Sequence, residues 1–277
     1  MNRQILIAGT LLFLSVAACR KESDNPAPPP KDDPQQDLPQ YLLRSIEWDN
    51  GMKALPNYNS DSTVSYTAFS LGTAGGEIVY EWSGKKLEAM YDSRSLYTNR
   101  FVYDDKGRLT AINNTRRQGE PTVSYTLEYS YDYDNRLKSL KYYRVNVAGK
   151  QLQETNTYQY NAEGYPSTVI TQSGGSIITR RIEAYSGRLR FDYSHFISAS
   201  LSEHYSLYNY PLLHQLDRLP AKVTKLLKTG AAAEKVEQVT ETTYTITIHR
   251  LDKTVTRLTY PEHPDLNQEL EAVYRYY

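Results

Sequence analysis

The chain has 277 residues, with 32 Lys+Arg against 32 Asp+Glu, one cysteine, and 26 Tyr against 5 Phe and 2 Trp. The neutral balance leaves no electrostatic footprint for nucleic acid and no polybasic patch for a lipid surface. A lone cysteine excludes an internal disulfide, so a chain long enough to bury a core must be held by its own packing. The tyrosine excess suits pleated sheet with a half-covered, half-wet face; a tyrosine-rich binding surface is the functional alternative.

In chain order, Met1-Asn2-Arg3 is a positive start, Ile5 to Val16 an apolar run, and Ala17-Ala18-Cys19 a small-residue cleavage site. The run is shorter than the roughly 20 residues that span a bilayer. Val16-Ala17-Ala18-Cys19 resembles the lipobox of bacterial lipoproteins, in which the cysteine becomes the first mature residue. That resemblance implies a signal peptide over 1–18 and lipidation at Cys19, so the chain is anchored to a membrane rather than spanning it. Residues 19–40 then read as a tether. Pro26, Pro28, Pro29, Pro30, Pro34 and Pro39 forbid helix and ladder bonding. At roughly 3.1 Å per residue such a segment reaches up to about 60 Å. Arg20-Lys21-Glu22-Ser23-Asp24 resembles the Lys-then-acidic signals that send some lipoproteins to the outer leaflet. An outer-membrane, surface-exposed location is therefore expected, with a periplasm-facing anchor as the alternative.

Residues 41–277 form one β domain with an internal repeat. Phe101–Ile112, Tyr129–Leu140 and Tyr158–Val169 share the form aromatic-x-Tyr-(Asp/Asn)-x-x-(Gly/Asn)-x-(Leu/Pro), recurring every 28 to 29 residues. Aromatics two apart share one face of a strand. Asp104, Asp132 and Asn161 open a turn by bonding the backbone ahead. Gly107 and Gly164 supply a left-handed position, which Asn135 fills in the middle copy. Trp82-Ser83-Gly84-Lys85 and Tyr185-Ser186-Gly187-Arg188 look like the same hairpin with a two-residue turn, and Asp217–Val223 like the second half of a copy. Turn signals every 10–15 residues or so predict an all-β antiparallel meander of hairpins, an elongated twisted sheet curling towards a barrel or sandwich. Strands are expected over Glu237–His249, Thr254–Tyr260 and Ala272–Tyr277, a short helix or loop over Ala231–Glu237, and an irregular insertion over 195–218. The repeats resemble the YD repeats of Rhs and teneurin proteins, clearly over 101–169 and loosely over 66–260. Rhs shells use many more copies, so this chain is expected to have too few to enclose a cavity. Short lipoproteins with YD-like repeats, of domain families of unknown function, are the nearer resemblance. They carry no catalytic residues to transfer.

The chemistry is sparse. His195, His204 and His214 fall in the insertion, where scattered surface histidines outweigh a metal trio, and no HExxH or Cys/His cluster exists. Asp104-Asp105 and Asp132-x-Asp134-Asn135 offer oxygen ligands for calcium, but hairpin turns account for them. No phosphate loop or nucleophile elbow is present, so no metal, cofactor or catalytic residue is assigned. The favoured reading is a non-enzymatic binding or scaffold lipoprotein. Its partners would be the membrane through its lipid and a glycan or envelope protein, not nucleic acid. Trp82, Tyr103, Tyr131 and Tyr160, with Trp48, are the candidate stacking platforms, weighed against rings that merely cover the sheet. A polysaccharide hydrolase or lyase, or a partner or inhibitor of a secreted toxin or protease, are the alternatives.

Overall fold

The computed structural model describes residues 37–117, 122–191 and 210–277; the predicted signal, Cys19 and most of the tether lie outside these. Sixteen antiparallel strands pair in sequence order and close into a barrel. They are β1 Leu43–Trp48, β2 Met52–Tyr58, β3 Val64–Leu71, β4 Ala74–Ser83, β5 Lys86–Asp92, β6 Tyr97–Tyr103, β7 Leu109–Arg116 and β8 Val123–Tyr131. The remainder are β9 Leu137–Asn146, β10 Gly149–Tyr160, β11 Pro166–Ser173, β12 Ser176–Tyr185, β13 Pro220–Thr229, β14 Lys235–Thr247, β15 Arg250–Thr259 and β16 Gln268–Tyr276. The hairpin meander is as expected, but the expectation of too few copies to enclose a space is corrected. β1 pairs β16 through Leu43↔Tyr276 to Trp48↔Ala272, and this seam removes both sheet edges.

The repeat explains the closure. In each copy the turn carbonyls and amides pair in the same way: Asp104 N–H to Arg108 O, Asp132 N–H to Arg136 O and Asn161 N–H to Tyr165 O, at 2.8–2.9 Å. Gly107, Asn135 and Gly164 take φ of 77°, 58° and 88°, so the middle copy does place asparagine at the left-handed position. A register shift immediately before the last aromatic of the strand re-aims that ring. Its polar tip then reaches one hairpin back. Trp82 Nε1 donates to Val64 O, Tyr103 Oη to Leu87 O, Tyr131 Oη to Leu109 O, and Tyr160 Oη to Leu137 O. Tyr185, Tyr244, Tyr276 and Tyr58 do the same to Pro166, Pro220, Leu251 and Leu43. Each of these bonds is 2.6–3.0 Å. Each acceptor is the first or second residue of its strand, and most are paired with the previous aromatic: Leu87 with Trp82, Leu109 with Tyr103, Leu137 with Tyr131, Pro166 with Tyr160. Leu43 pairs with Tyr276, so the chain of staples runs round one rim and returns to its start. We call this end the near rim. Seven of the 26 tyrosines are thus spent on fastening turns.

One turn in the ring is split. Ser186 N–H donates to Leu219 O and Ser186 Oγ accepts from Leu219 N–H, both at 2.9 Å. This is the pairing that Asn161 makes with Tyr165. Tyr185↔Pro220 likewise matches Tyr160↔Pro166. Residues 187–218 are therefore inserted inside a repeat turn. The two-residue hairpin expected at Tyr185–Arg188 is corrected: it and Asp217–Val223 are the two halves of one turn. The insertion enters the lumen as a plug, burying Leu189, Phe191, Leu212, Leu213 and Leu216 among Leu109, Leu137, Leu140 and Val169. Its one described helix, α1 (Tyr210–Leu213), is wholly buried. No helix forms over Ala231–Glu237, where Ala232 N–H closes a turn on Thr229 O and β14 begins at Lys235.

The two faces of the wall differ in kind. Leu127, Tyr129, Leu137, Leu140 and Tyr158 point inward and are buried. Outward positions are charged and paired across strands: Lys222 lies 3.6 Å from Glu183 and 3.2 Å from Glu241, Lys253 is 2.7 Å from Glu271, and Arg275 is 3.5 Å from Glu47. Arg257–Glu269 and Lys150–Glu128 continue the pattern. A membrane-spanning barrel reverses this, with an apolar band outside and a polar lumen. The inner face keeps polar networks, among them Asn114 donating to Asn99 at 2.9 Å and a seam at Arg180. Arg180, 7% exposed, donates to Thr171 at 3.0 Å, Thr171 to Asn156 at 2.5 Å, and Asn156 to Glu154 at 2.8 Å. Burial lowers the Arg180 pKa, opposed by the charges of Glu154 and Glu237.

Candidate functional site

At the near rim, three consecutive repeat turns and the plug leave a cavity of about 350 Å³. Each turn holds itself rigid. Asp104 Oδ1 accepts from the Lys106 and Arg108 amides at 3.1 and 2.8 Å, and its Oδ2 takes Arg108 Nε at 2.8 Å. Asp132 and Arg136 repeat this geometry. Burial would raise the Asp104 carboxyl, but these donors and the Arg108 charge outweigh it and hold it below the usual carboxylate range. The calcium reading loses its ligands here, because both carboxylates are spent within their turns.

The cation that begins each new strand lies over the ring of the next staple. Lys86 Nζ is 5.6 Å from the Tyr103 centroid, Arg108 5.0 Å from Tyr131, and Arg136 5.0 Å from Tyr160. Tyr103 and Tyr131 therefore form part of the cavity wall, flanked by cations. Burial raises their phenol pKa values, and that of Tyr160. The plug supplies the facing wall through Tyr210, His214, Gln215 and Asp217. Gln215 fixes it by donating to Asn135 O at 2.9 Å. Tyr165 donates to Asp217 at 2.6 Å; burial, then this carboxylate, push its pKa up to about 12. Asp217 is also paired with Arg188, and Asp134 with Arg136. Lys86 and Glu163 enter none of the ion pairs among the described residues, and both are exposed at the mouth.

Of the four predicted platforms, Tyr103 and Tyr131 share this cavity, whereas Trp82 and Tyr160 stand in the ring outside its lining. All four rings pack against the core cluster. Trp48 sits at the opposite end, by a second cavity of about 520 Å³. His214 is not a loose surface histidine: it packs edge-on against Tyr210, with centroids 4.3 Å apart. His195 and His204 lie outside the described residues. Among the described residues no group of three or more His, Cys, Asp or Glu is placed to hold a metal. Sequence reasoning missed Gln215 and Tyr210 as lining. The available signal was the half-copy at Asp217–Val223, which marks where the interrupted turn resumes.

No protein-family model matches this chain, and no curated protein matches it. Among solved structures it is similar to a porin-like protein from Bacteroides uniformis. That match has 15% identity, covers 87% of this chain and 98% of that one, and has a TM-score of 0.56. A porin-like protein from Bacteroides vulgatus matches at 12% identity over 86% of this chain and 99% of that one, with a TM-score of 0.50. At these identities the likeness is one of fold.

Proposed function

We propose that this chain is a lipid-anchored binding module of the bacterial outer envelope, neither a conduit nor an enzyme, whose near-rim cavity takes a glycan. The observation that carries this is the composition of the cavity. Tyr103 and Tyr131 bring half-buried rings to its wall, while Lys86 and Glu163 bring exposed charged groups to the same space. An aromatic wall beside an exposed donor and acceptor suits a saccharide, whose hydroxyls need partners and whose C–H faces need apolar contact. The non-enzymatic part rests on the remaining carboxylates: Asp134 and Asp217 are held in ion pairs rather than poised for acid–base work. The paired charges on the outer wall and the plugged lumen argue against insertion and conduction, although the fold resembles porin-like proteins.

A glycan array with the full chain tests the reading. Lys86→Ala and Glu163→Ala alter exposed side chains outside the staples, so the fold should be unaffected. Any glycan retained by the parent should be lost or weakened about 10-fold or more in the double variant, equivalent to about 1.4 kcal/mol. An array without hits, or hits indifferent to both substitutions, removes the glycan reading and leaves an envelope-protein ligand.

A further inference from the structure

The end of the barrel away from the staples, the far rim, is built differently. Two inward-facing rows cross β1 to β4 there. The deeper is Ile46↔Ala54↔Phe69↔Gly76, alternating large and small across paired strands. Nearer the mouth, Met52↔Leu71↔Ala74 form the second row, with Trp48 beside them on β1. Elsewhere inward positions hold larger side chains such as Leu127, Tyr129, Leu140 and Tyr158. Here Ala54 and Ala74 leave side-chain volume unfilled, and the result is the cavity of about 520 Å³.

Its wall is aliphatic and aromatic: Ile46, Trp48, Met52, Phe69, Leu71 and Ile78. Of the three charged residues at its edge, Arg94 and Asp92 are engaged with each other, and Glu77 leaves the rim with a net negative charge. Arg94 donates through Nε and Nη2 to the two Asp92 oxygens, at 3.2 and 3.1 Å, and through Nη1 to Gly75 O at 2.6 Å. A Cβ on Gly76 would collide with that guanidinium, so the glycine lets Arg94 lie flat across β4. A hydroxyl-rich ligand entering here would lose hydration and find few free partners. An anionic ligand would find no net countercharge. A saturated chain would displace water from apolar wall, a gain that grows with each methylene buried.

The geometry points to the far mouth as a second binding site, one that takes the uncharged acyl chain of an amphiphile. It is independent of the glycan reading, which concerns the opposite rim. Trp48 lies in this wall, and Trp82, stapled to Val64 at the other end, is an internal reference. The probe is a bromododecanol, whose bromine quenches indole emission on contact. It is titrated into the full chain carrying Cys19→Ser behind a cleavable signal, so that neither lipid nor detergent competes. Quenching should be saturable and partial, and Trp48→Phe should abolish it. Ala74→Phe, which fills the slot, should weaken it about 10-fold or more with unchanged circular dichroism. Ala74→Leu is the smaller filler at the same position should the first variant not fold. Non-saturable quenching, equal quenching in a folded filled variant, or displacement by a neutral oligosaccharide would overturn the assignment.

Discussion

The two rims are made from one chain by different rules. At the near rim three successive turns are near-copies and a fourth is a split copy, an aromatic near the end of each incoming strand is stapled to the preceding hairpin, and the lumen is plugged. At the far rim the connections vary from the two residues between Leu71 and Ala74 to the eight between Thr259 and Gln268, and part of the lumen is left open. The contrast shows what the repeat encodes. Its motif specifies one end of each hairpin and the link to its neighbour. The far ends are free to differ, since nothing in the motif reaches them.

The sharpest way to break this comparison is to remove the plug and restore an uninterrupted turn between Ser186 and Leu219. Leu189, Leu212, Leu213 and Leu216 are fully buried, and each such side chain contributes about 1.5–3 kcal/mol. Their joint loss rivals the whole stability of a domain, about 5–15 kcal/mol. The deletion should abolish cooperative thermal unfolding; a barrel with unchanged Tm would show the near rim does not depend on its plug. Alkali is the next largest perturbation. Burial raises the phenol pKa values of Tyr103, Tyr131, Tyr160 and Tyr276. A phenol whose folded pKa lies above its unfolded value adds stability that is complete below about pH 10 and is lost as pH rises towards the folded pKa. Tyrosinate absorbance from the ring should therefore appear together with loss of the β signal above about pH 10, and gradual titration without unfolding would count against buried staples.

Much of the near rim was legible because its signals are local. An Asp or Asn, a left-handed Gly or Asn, and a strand-starting Leu or Pro lie within a few residues of one another, so the turns at Asp104, Asp132 and Asn161 could be read directly. What the hydroxyls do was not legible. Tyr131 and its acceptor Leu109 are 22 residues apart, and a sequence shows a ring two places from another ring, not the carbonyl it will meet. Closure was hidden for the same reason: Leu43 and Tyr276 carry no mark of being partners. The split turn was half legible. Both halves were recognisable, but 187–218 separates them, and a two-residue turn was the simpler local reading of Ser186-Gly187. The far cavity left no pattern at all, because Ala54 on β2 and Ala74 on β4 matter only by facing the same space.

A smaller effect sharpens the contrast within the staples. Tyr131→Phe keeps the ring beneath Arg108 and removes only the bond to Leu109 O. Leaving that half-buried carbonyl unpaired should cost about 1–3 kcal/mol in urea unfolding. Val147→Ser, at a fully exposed far-rim turn, should stay within about 0.5 kcal/mol. Equal costs at both positions would mean that the rims are fastened alike.

The smallest effect has the opposite sign. β14 and β15 are joined by Ile248-His249, at φ of 50° and 61°, a turn that needs left-handed backbone at both central residues. A β-branched residue is poorly suited there, and the left-handed form costs an L-residue roughly 1–2 kcal/mol. The Ile248 side chain offers nothing visible in return, being 73% exposed. Its carbonyl, however, accepts from Tyr41 Oη at 3.1 Å, and His249 O accepts from Arg190 N–H at 2.8 Å. The turn therefore clasps the start of the described chain through its backbone, and the plug through the His249 carbonyl and through its ring, whose Nδ1 lies 3.1 Å from Arg188 O. Ile248→Asn keeps those carbonyls, relieves the strain, and should raise stability by about 1 kcal/mol. A loss of stability instead would mean that the isoleucine side chain itself has a partner at the near rim, on the face from which the predicted tether departs.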